Sequence, residues 1–157
     1  MAQMMHLIVR VGATWLALPA AAIEAVLAYG AVTPIPGAPP AIIGLVSIRS
    51  RILPLIDCAR IAGETADNQH LMAVIMVDGH SYGLAVDEVT EVVPLGSAYA
   101  APAPLAPGWG HLAAQLIDYG NTTLLYVDPA QFVGRATMAA QQAAFAGVLP
   151  GLVARPQ

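Results

Sequence analysis

The chain has 157 residues, with six arginines, no lysine and ten carboxylates; its net charge of −4 argues against a nucleic-acid binder, which would need a basic stripe. Charged residues make up 10% and hydrophobic ones 57%, against roughly 25% and 45–50% in an ordinary soluble domain, so some apolar surface must stay uncovered for partners. The single cysteine, Cys58, excludes an intrachain disulfide and fits a reducing compartment, while 14 glycines and 13 prolines favour short strands and turns.

HLIVRV (6–11), Gly12-Ala13 and TWLALP (14–19) read as two short strands about a tight turn, with Leu7, Val9 and Val11 on one face and Ile8 and Arg10 on the other. The same stretch imitates a signal peptide, but apolar residues precede its one positive charge and the strand alternation accounts for it better. IEAVLA (23–28) is a third strand after an Ala-rich opening, and TPIPGAPP (33–40) is a rigid, extended connector. Residues 25–48 carry no charge and could span a bilayer in length. Their prolines would leave backbone groups unpaired in lipid, so no membrane insertion is expected. IIGLVSIR (42–49) and RILPLI (51–56) leave room between them only for a hairpin turn. Arg49, Ser50 and Arg51 therefore fall at a tip, where charge reaches water while both strands stay buried.

The second half echoes the first. MAVIMV (72–77), Asp78-Gly79 and SYGLAV (81–86) form a hairpin on a strong turn signal, and Asp118 to Asn121 turns between HLAAQLI and TTLLYV. Leu53 to Gly63 lies over Leu124 to Gly134 at a distance of 71 residues, with identities at Leu53/Leu124, Asp57/Asp128, Ala59/Ala130 and Gly63/Gly134. In each copy a strand ends on an Asp that can cap a helical turn, with Gly to stop it. A weaker echo relates IVRVGATW to VIMVDGHSY. The expectation is one mainly β domain of two similar lobes, about 6–66 and 67–134, with a Ser/Ala/Pro linker at 97–108. From Asp128 the tail reads as one helix with Pro129 at its first position, running to about Phe145, with Phe132 docked on a lobe; helix and tail together take up 128–157.

Little in the sequence offers catalysis. Gly79-His80-Ser81-Tyr82-Gly83 fits the G-x-S-x-G elbow of hydrolases, and Asp87 and His111 follow in triad order. That motif needs a helix after the serine, whereas Ser81 opens a stretch of strong β character. A serine hydrolase built on Ser81 is therefore only the remote reading. His6, His70, His80 and His111 are scattered without metal-ligand spacing, no cofactor loop exists, and Cys58 reads as a buried, inert thiol. Asp87, Glu88 and Glu91 read as a solvated strand end.

Taken together, the Pro-rich connector leading to Gly44, the arginine hairpin followed by Pro54 and Asp57, and the pattern Asp87, Val89, Val92 resemble the CheW family of bacterial chemosensory coupling proteins. The resemblance runs from about Leu7 to Phe132. It implies two five-stranded SH3-like barrels packed together, which agrees with the lobe repeat. It also implies a non-catalytic adaptor without cofactor, bridging the cytoplasmic tips of methyl-accepting chemoreceptors to the regulatory domain of a CheA-like histidine kinase. Self-association in array rings and a cytoplasmic place at the inner membrane, through receptor arrays, are implied as well. An accessory module that binds the kinase but not receptors is the alternative.

Carried onto this chain, Ile23, Glu24, Ala25 and Val26 resemble a partner-facing strand. Arg49, after Gly44, matches the family's hairpin arginine, which either contacts an acidic partner group or anchors the groove by hydrogen bonds. Asp87, Val89 and Val92 would border the same groove from the second lobe. Three departures stand out. Ser50 replaces the family's usual glycine, so either serine is strained there or the turn accepts it. The carboxylate common at the place of Ala25 sits one step earlier, at Glu24, which in a strand reverses the face. Arg51 adds a second positive charge, as if to compensate for a changed partner surface.

Overall fold

Period-two alternation and turn residues at close spacing make ten strands among residues 3–137, the part of the chain that the computed structural model describes. β1 (Met4–Val11) and β2 (Thr14–Pro19) form a hairpin, and a 3-10 turn (Ala20–Ala22) leads into β3 (Ile23–Ala28). After the proline-rich connector come β4 (Ile42–Ile48), β5 (Arg51–Asp57) and the short α1 (Cys58–Ala62). The second half supplies β6 (Leu71–Val77), β7 (His80–Val86), β8 (Glu88–Leu95), α2 (Pro107–His111), β9 (Gln115–Tyr119) and β10 (Thr122–Tyr126), followed by a helix over 130–137, here α3. Phe132, Val133 and Ala136 of α3 are buried in the central core. The rest of the expected tail helix lies outside the described residues. Gly134 does not stop α3, whereas Gly63, at φ 76°, does end α1 behind its Asp57 cap.

The strands form two five-stranded sheets, in the orders β8-β1-β2-β10-β9 and β3-β6-β7-β5-β4. The sheets do not follow the halves of the chain. The expected split near residue 66 is replaced by an exchange, in which each half gives its first hairpin to one sheet and its next three strands to the other. The internal repeat is nevertheless kept in register. The pair Val11↔Thr14 closes one hairpin and Val77↔His80 the other. In β3 the pairs Ile23↔Ile75 and Val26↔Ala73 flank a bulge, and in β8 Val89↔Val9 and Val92↔Leu7 flank the same bulge. The parallel pair Leu55↔Gly83 matches Tyr126↔Ala17. Each sheet is then closed by the strand that leaves its edge. Thr33 and Leu45 exchange hydrogen bonds of 2.9 and 2.8 Å, and Tyr99 and Leu116 exchange two of 2.8 Å. Gly44 serves that closure, since a Cβ there would stand 2.5 Å from the Thr33 carbonyl oxygen.

Two SH3-like barrels result, with separate interiors. Barrel A holds Ile8, Ala17, Leu95, Ile117 and Leu124, while barrel B holds Val46, Leu53, Leu55, Met72 and Val74. The third and largest core lies between them, from Leu7, Val9, Ile56, Ile75, Leu84, Trp109 and Phe132 among others. The alternation along β1 explains the division, because odd-numbered residues face the central core and even-numbered ones the barrel interior.

Charged side chains lock the two halves where the chain crosses between barrels. Asp87, between β7 and β8, is buried, and its carboxylate accepts backbone N–H bonds from Gly12 at 2.6 Å and from Asp67 and Asn68 at 2.7 Å. Arg10 donates to Gly12 O, Glu88 and Asp67 around the same corner. Glu64 accepts from Ala13 N–H, the Thr14 hydroxyl and the indole of buried Trp109. Asp87→Ala would strand one buried donor, at Gly12, and two part-buried ones, at Asp67 and Asn68, at a cost of about 2 kcal/mol or more by the usual penalty for unmade buried hydrogen bonds. Urea unfolding of the variant beside the parent measures it.

Partial burial pushes the Glu64 carboxyl up, but the bonds from Thr14, Ala13 and Trp109 outweigh it and hold the group below its ordinary value of 4.5. A carboxyl depressed in the folded state contributes stability that is fully present above the unfolded value and is lost as pH falls through the folded one. The melting temperature of the parent should therefore drop more steeply below pH 4.5 than that of Glu64→Gln. Trp109 fluorescence in a thermal melt at several pH values is the readout.

Candidate functional site

The β4–β5 hairpin places its two arginines differently. Its turn is two residues long, since Ile48 pairs with Arg51. Arg49 takes φ 55° and Ser50 does not have positive φ, the sign pattern of a type II′ turn. The second position therefore accepts serine without strain, and the strained residue is Arg49. A side chain in the left-handed region costs about 1 kcal/mol. Arg49 is exposed and makes no hydrogen bond or ion pair with any described residue.

Arg51, by contrast, is held by its own molecule. Its guanidinium donates to Glu24 Oε2 and to Ser81 Oγ, each at 2.9 Å. Arg51, Ser81 and Leu53 share the face that lines barrel B, so the guanidinium closes that barrel's mouth. The second positive charge that Arg51 adds is paired within the chain, with Glu24 at 2.9 Å. The bulge between Ile23 and Ala25 lets Glu24 reach across, and Ala25 packs against the barrel interior.

Other residues singled out by sequence divide between interior and surface. Asp87 is not a rim residue but an internal pin, since its oxygens are spent on backbone N–H groups. Gly44 is buried at the barrel closure. Ile23 and Val89, which occupy equivalent strand positions, both pack against the central core. Three positions along from each, Val26 and Val92 are 37% and 49% exposed. No hydrogen bond or ion pair among the described residues links the arginine tip to Asp87, Val89 or Val92.

Sequence reasoning missed Ile52, which is 70% exposed beside the tip. The signal was available in β5, where Leu53 and Leu55 face the barrel and Ile52 must therefore face away. β8 itself reads in sequence as a solvated acidic end and, through the resemblance, as a groove border, but not as a strand paired with β1.

The hydrolase arrangement is absent from this geometry. Ser81 stands inside β7, with no helix behind it, and Arg51 donates to its oxygen. Asp87 lies at the far end of the same strand run, about 20 Å away at the rise of an extended chain. Cys58 is fully buried, and burial, with Asp57 and Asp87 nearby, pushes its thiol well above the ordinary value. Among the described residues no helix is long and apolar enough to cross a membrane, and the stretch that imitates a signal peptide is the β1–β2 hairpin.

Paired five-stranded barrels that exchange strands in this register define a double SH3-like barrel class of protein. The chain belongs to the CheW-like domain family, whose match covers residues 5–137. That family consists of scaffold proteins of chemotaxis signalling. The chain is 28% identical over 86 residues to the chemotaxis protein CheW of Rhizobium meliloti (strain 1021), a match spanning 53% of this chain and 56% of that protein. The crystal structure of the scaffolding protein TtCheW from Thermoanaerobacter tengcongensis shares the fold, with a TM-score of 0.72 and 20% identity over 82% of this chain and 90% of that one.

Backbone strain and ion pairing make opposite demands at the tip, so two substitutions should separate them. Arg49→Gly removes a left-handed side chain and should leave stability unchanged or raise it by up to about 1 kcal/mol. Arg51→Ala removes a half-exposed ion pair and should lower it by no more than about 1 kcal/mol. Chemical denaturation of both variants provides the comparison.

Proposed function

We propose that this chain is an adaptor of a chemosensory array, joining the cytoplasmic tip of a chemoreceptor to the regulatory domain of a CheA-like histidine kinase. The observation that carries this reading is Arg49, held in a strained conformation, exposed and without a partner among the described residues, beside the largely exposed Ile52. Folding alone does not call for either residue there, whereas a docking surface does. An apolar side chain supplies buried area and a guanidinium supplies orientation towards carboxylates or carbonyls. Val26 and Val92, at matching places on the edge strands of the two barrels, support two docking faces instead of one. Two such faces suit a bridge, and they also suit alternation into rings in which copies of this chain associate. The proposed place is the cytoplasmic side of the inner membrane, reached through the receptors.

A second reading, an accessory module that binds kinase but not receptor, draws on Glu24. In this chain its carboxylate is occupied by Arg51, so it is not free for a receptor contact.

Calorimetric titration of the protein with the kinase regulatory domain, with and without a receptor-tip fragment, distinguishes the two. An adaptor gives a saturable one-to-one complex that the receptor fragment joins, whereas the accessory module gives kinase binding alone. Arg49→Ala should weaken one of these contacts by about tenfold or more, the worth of one charge-assisted contact, with the fold intact. Unchanged affinity for both partners would remove the tip from the interface.

A further inference from the structure

The two barrels have equivalent mouths, and among the described residues only one is plugged by the chain itself. In barrel B the Arg51 guanidinium lies between Ser81 and Glu24. The corresponding end of barrel A is a hollow of about 330 Å³, and the register of the repeat maps its walls one by one. Ile8, Trp15 and Leu124 stand where Val74, Ser81 and Leu53 stand in barrel B. Thr90 and Glu91 take the places of Glu24 and Ala25, while Tyr119 and Thr122 take those of Ile48 and Arg51. The position that carries the plugging arginine in one barrel thus carries a short threonine in the other.

What remains around that threonine suits the group it lacks. The edge strand still presents a carboxylate, moved one position to Glu91. Tyr119 donates its hydroxyl to Glu91 Oε2, which fixes the carboxylate and leaves the other oxygen able to accept. Trp15 adds an indole wall. A carboxylate beside a large aromatic ring is the setting that favours a planar guanidinium, which can donate in a fork and lie on the ring face. The neighbouring Arg10 lies 5.9 Å from the Trp15 ring centroid, but its charge is met by Glu88 and Asp67.

We infer that the mouth of barrel A, built from Trp15, Glu91, Tyr119 and Thr122, binds the guanidinium group of a ligand, either an arginine side chain or a free alkylguanidine. The site is separate from the β4–β5 tip and does not depend on the adaptor reading.

The test follows the Trp15 indole resonance by NMR, with calorimetry for affinity, on the whole chain. The probes are agmatine, the peptide acetyl-Gly-Arg-Gly-amide and its citrulline counterpart, which keeps the shape without the charge. Binding of the arginine peptide, with the citrulline peptide about tenfold weaker or worse, is the expected result. Peptide binding without agmatine binding assigns the site to a protein-borne arginine, and the reverse assigns it to a small molecule. Glu91→Gln should weaken binding about tenfold. Thr122→Arg, which rebuilds the plug of barrel B, should abolish binding and raise the melting temperature; circular dichroism checks that both variants are folded. No binding of either guanidinium probe at millimolar concentration overturns the proposal. So does equal binding of the citrulline peptide, or binding indifferent to both substitutions.

Discussion

The fold turns on a buried carboxylate at a crossing point. Between β7 and β8 the chain leaves one barrel for the other, and a chain that changes sheets exposes backbone donors with no strand partner. Asp87 meets that demand from a single side chain, gathering donors from the β1–β2 turn and from the segment before β6. A charged acceptor is stronger than a neutral one, and three donors offset the cost of burying it. Arg10 and Glu64 reinforce the corner from either side. Gly12 belongs to the same arrangement, since a Cβ there would press within 2.5 Å of the Glu64 Cβ.

From that corner the rest of the geometry follows. Because β8 departs for barrel A as β3 departs for barrel B, the two edge strands are equivalent, bulge for bulge, and each leaves one valine exposed. β5 enters its sheet parallel to β7 and β10 enters its sheet parallel to β2; β5 ends on Asp57, Asp128 follows β10 by two residues, and each Asp caps a helix. Those helices, with α2, seal the central core; α2 packs so closely on α1 that a Cβ at Gly108 would lie 2.0 Å from the Ala62 carbonyl oxygen. Surface chemistry is then a matter of what was left over. Polar groups near the junction are consumed internally, and Arg49, a cation without an internal partner among the described residues, is held out on a hairpin.

Much of this was legible in the sequence where the signal is local. Turn residues such as Gly12 and Asp78-Gly79 mark their hairpins, apolar alternation gives the faces of β1, and the repeat from Leu53 to Gly134 announces paired lobes. Pairing across long distances was not legible. β8 carries Glu88, Thr90 and Glu91, too polar to read as a strand until its partner β1, some 80 positions earlier, is known. Asp87 looked like surface for the same reason. The fates of Arg49 and Arg51 could not be told apart either, because Glu24 reaches Arg51 only through a bulge and a closed barrel. The division of lobes failed since sequence repeats report similarity and not which sheet a strand joins.

The exchange of strands between repeats has a consequence for how such a molecule can fail. With barrels encoded one after the other, a chain could lose order in one barrel and keep the other, and go on holding a single partner. Here every barrel needs strands from both repeats, so disorder in either repeat dismantles both barrels at once. For a bridging protein the half-folded form is the harmful one, since it fills a place in an assembly without passing anything on. Interleaving ties the fate of one barrel to the other, so on the adaptor reading a damaged copy gives up both of its contacts together.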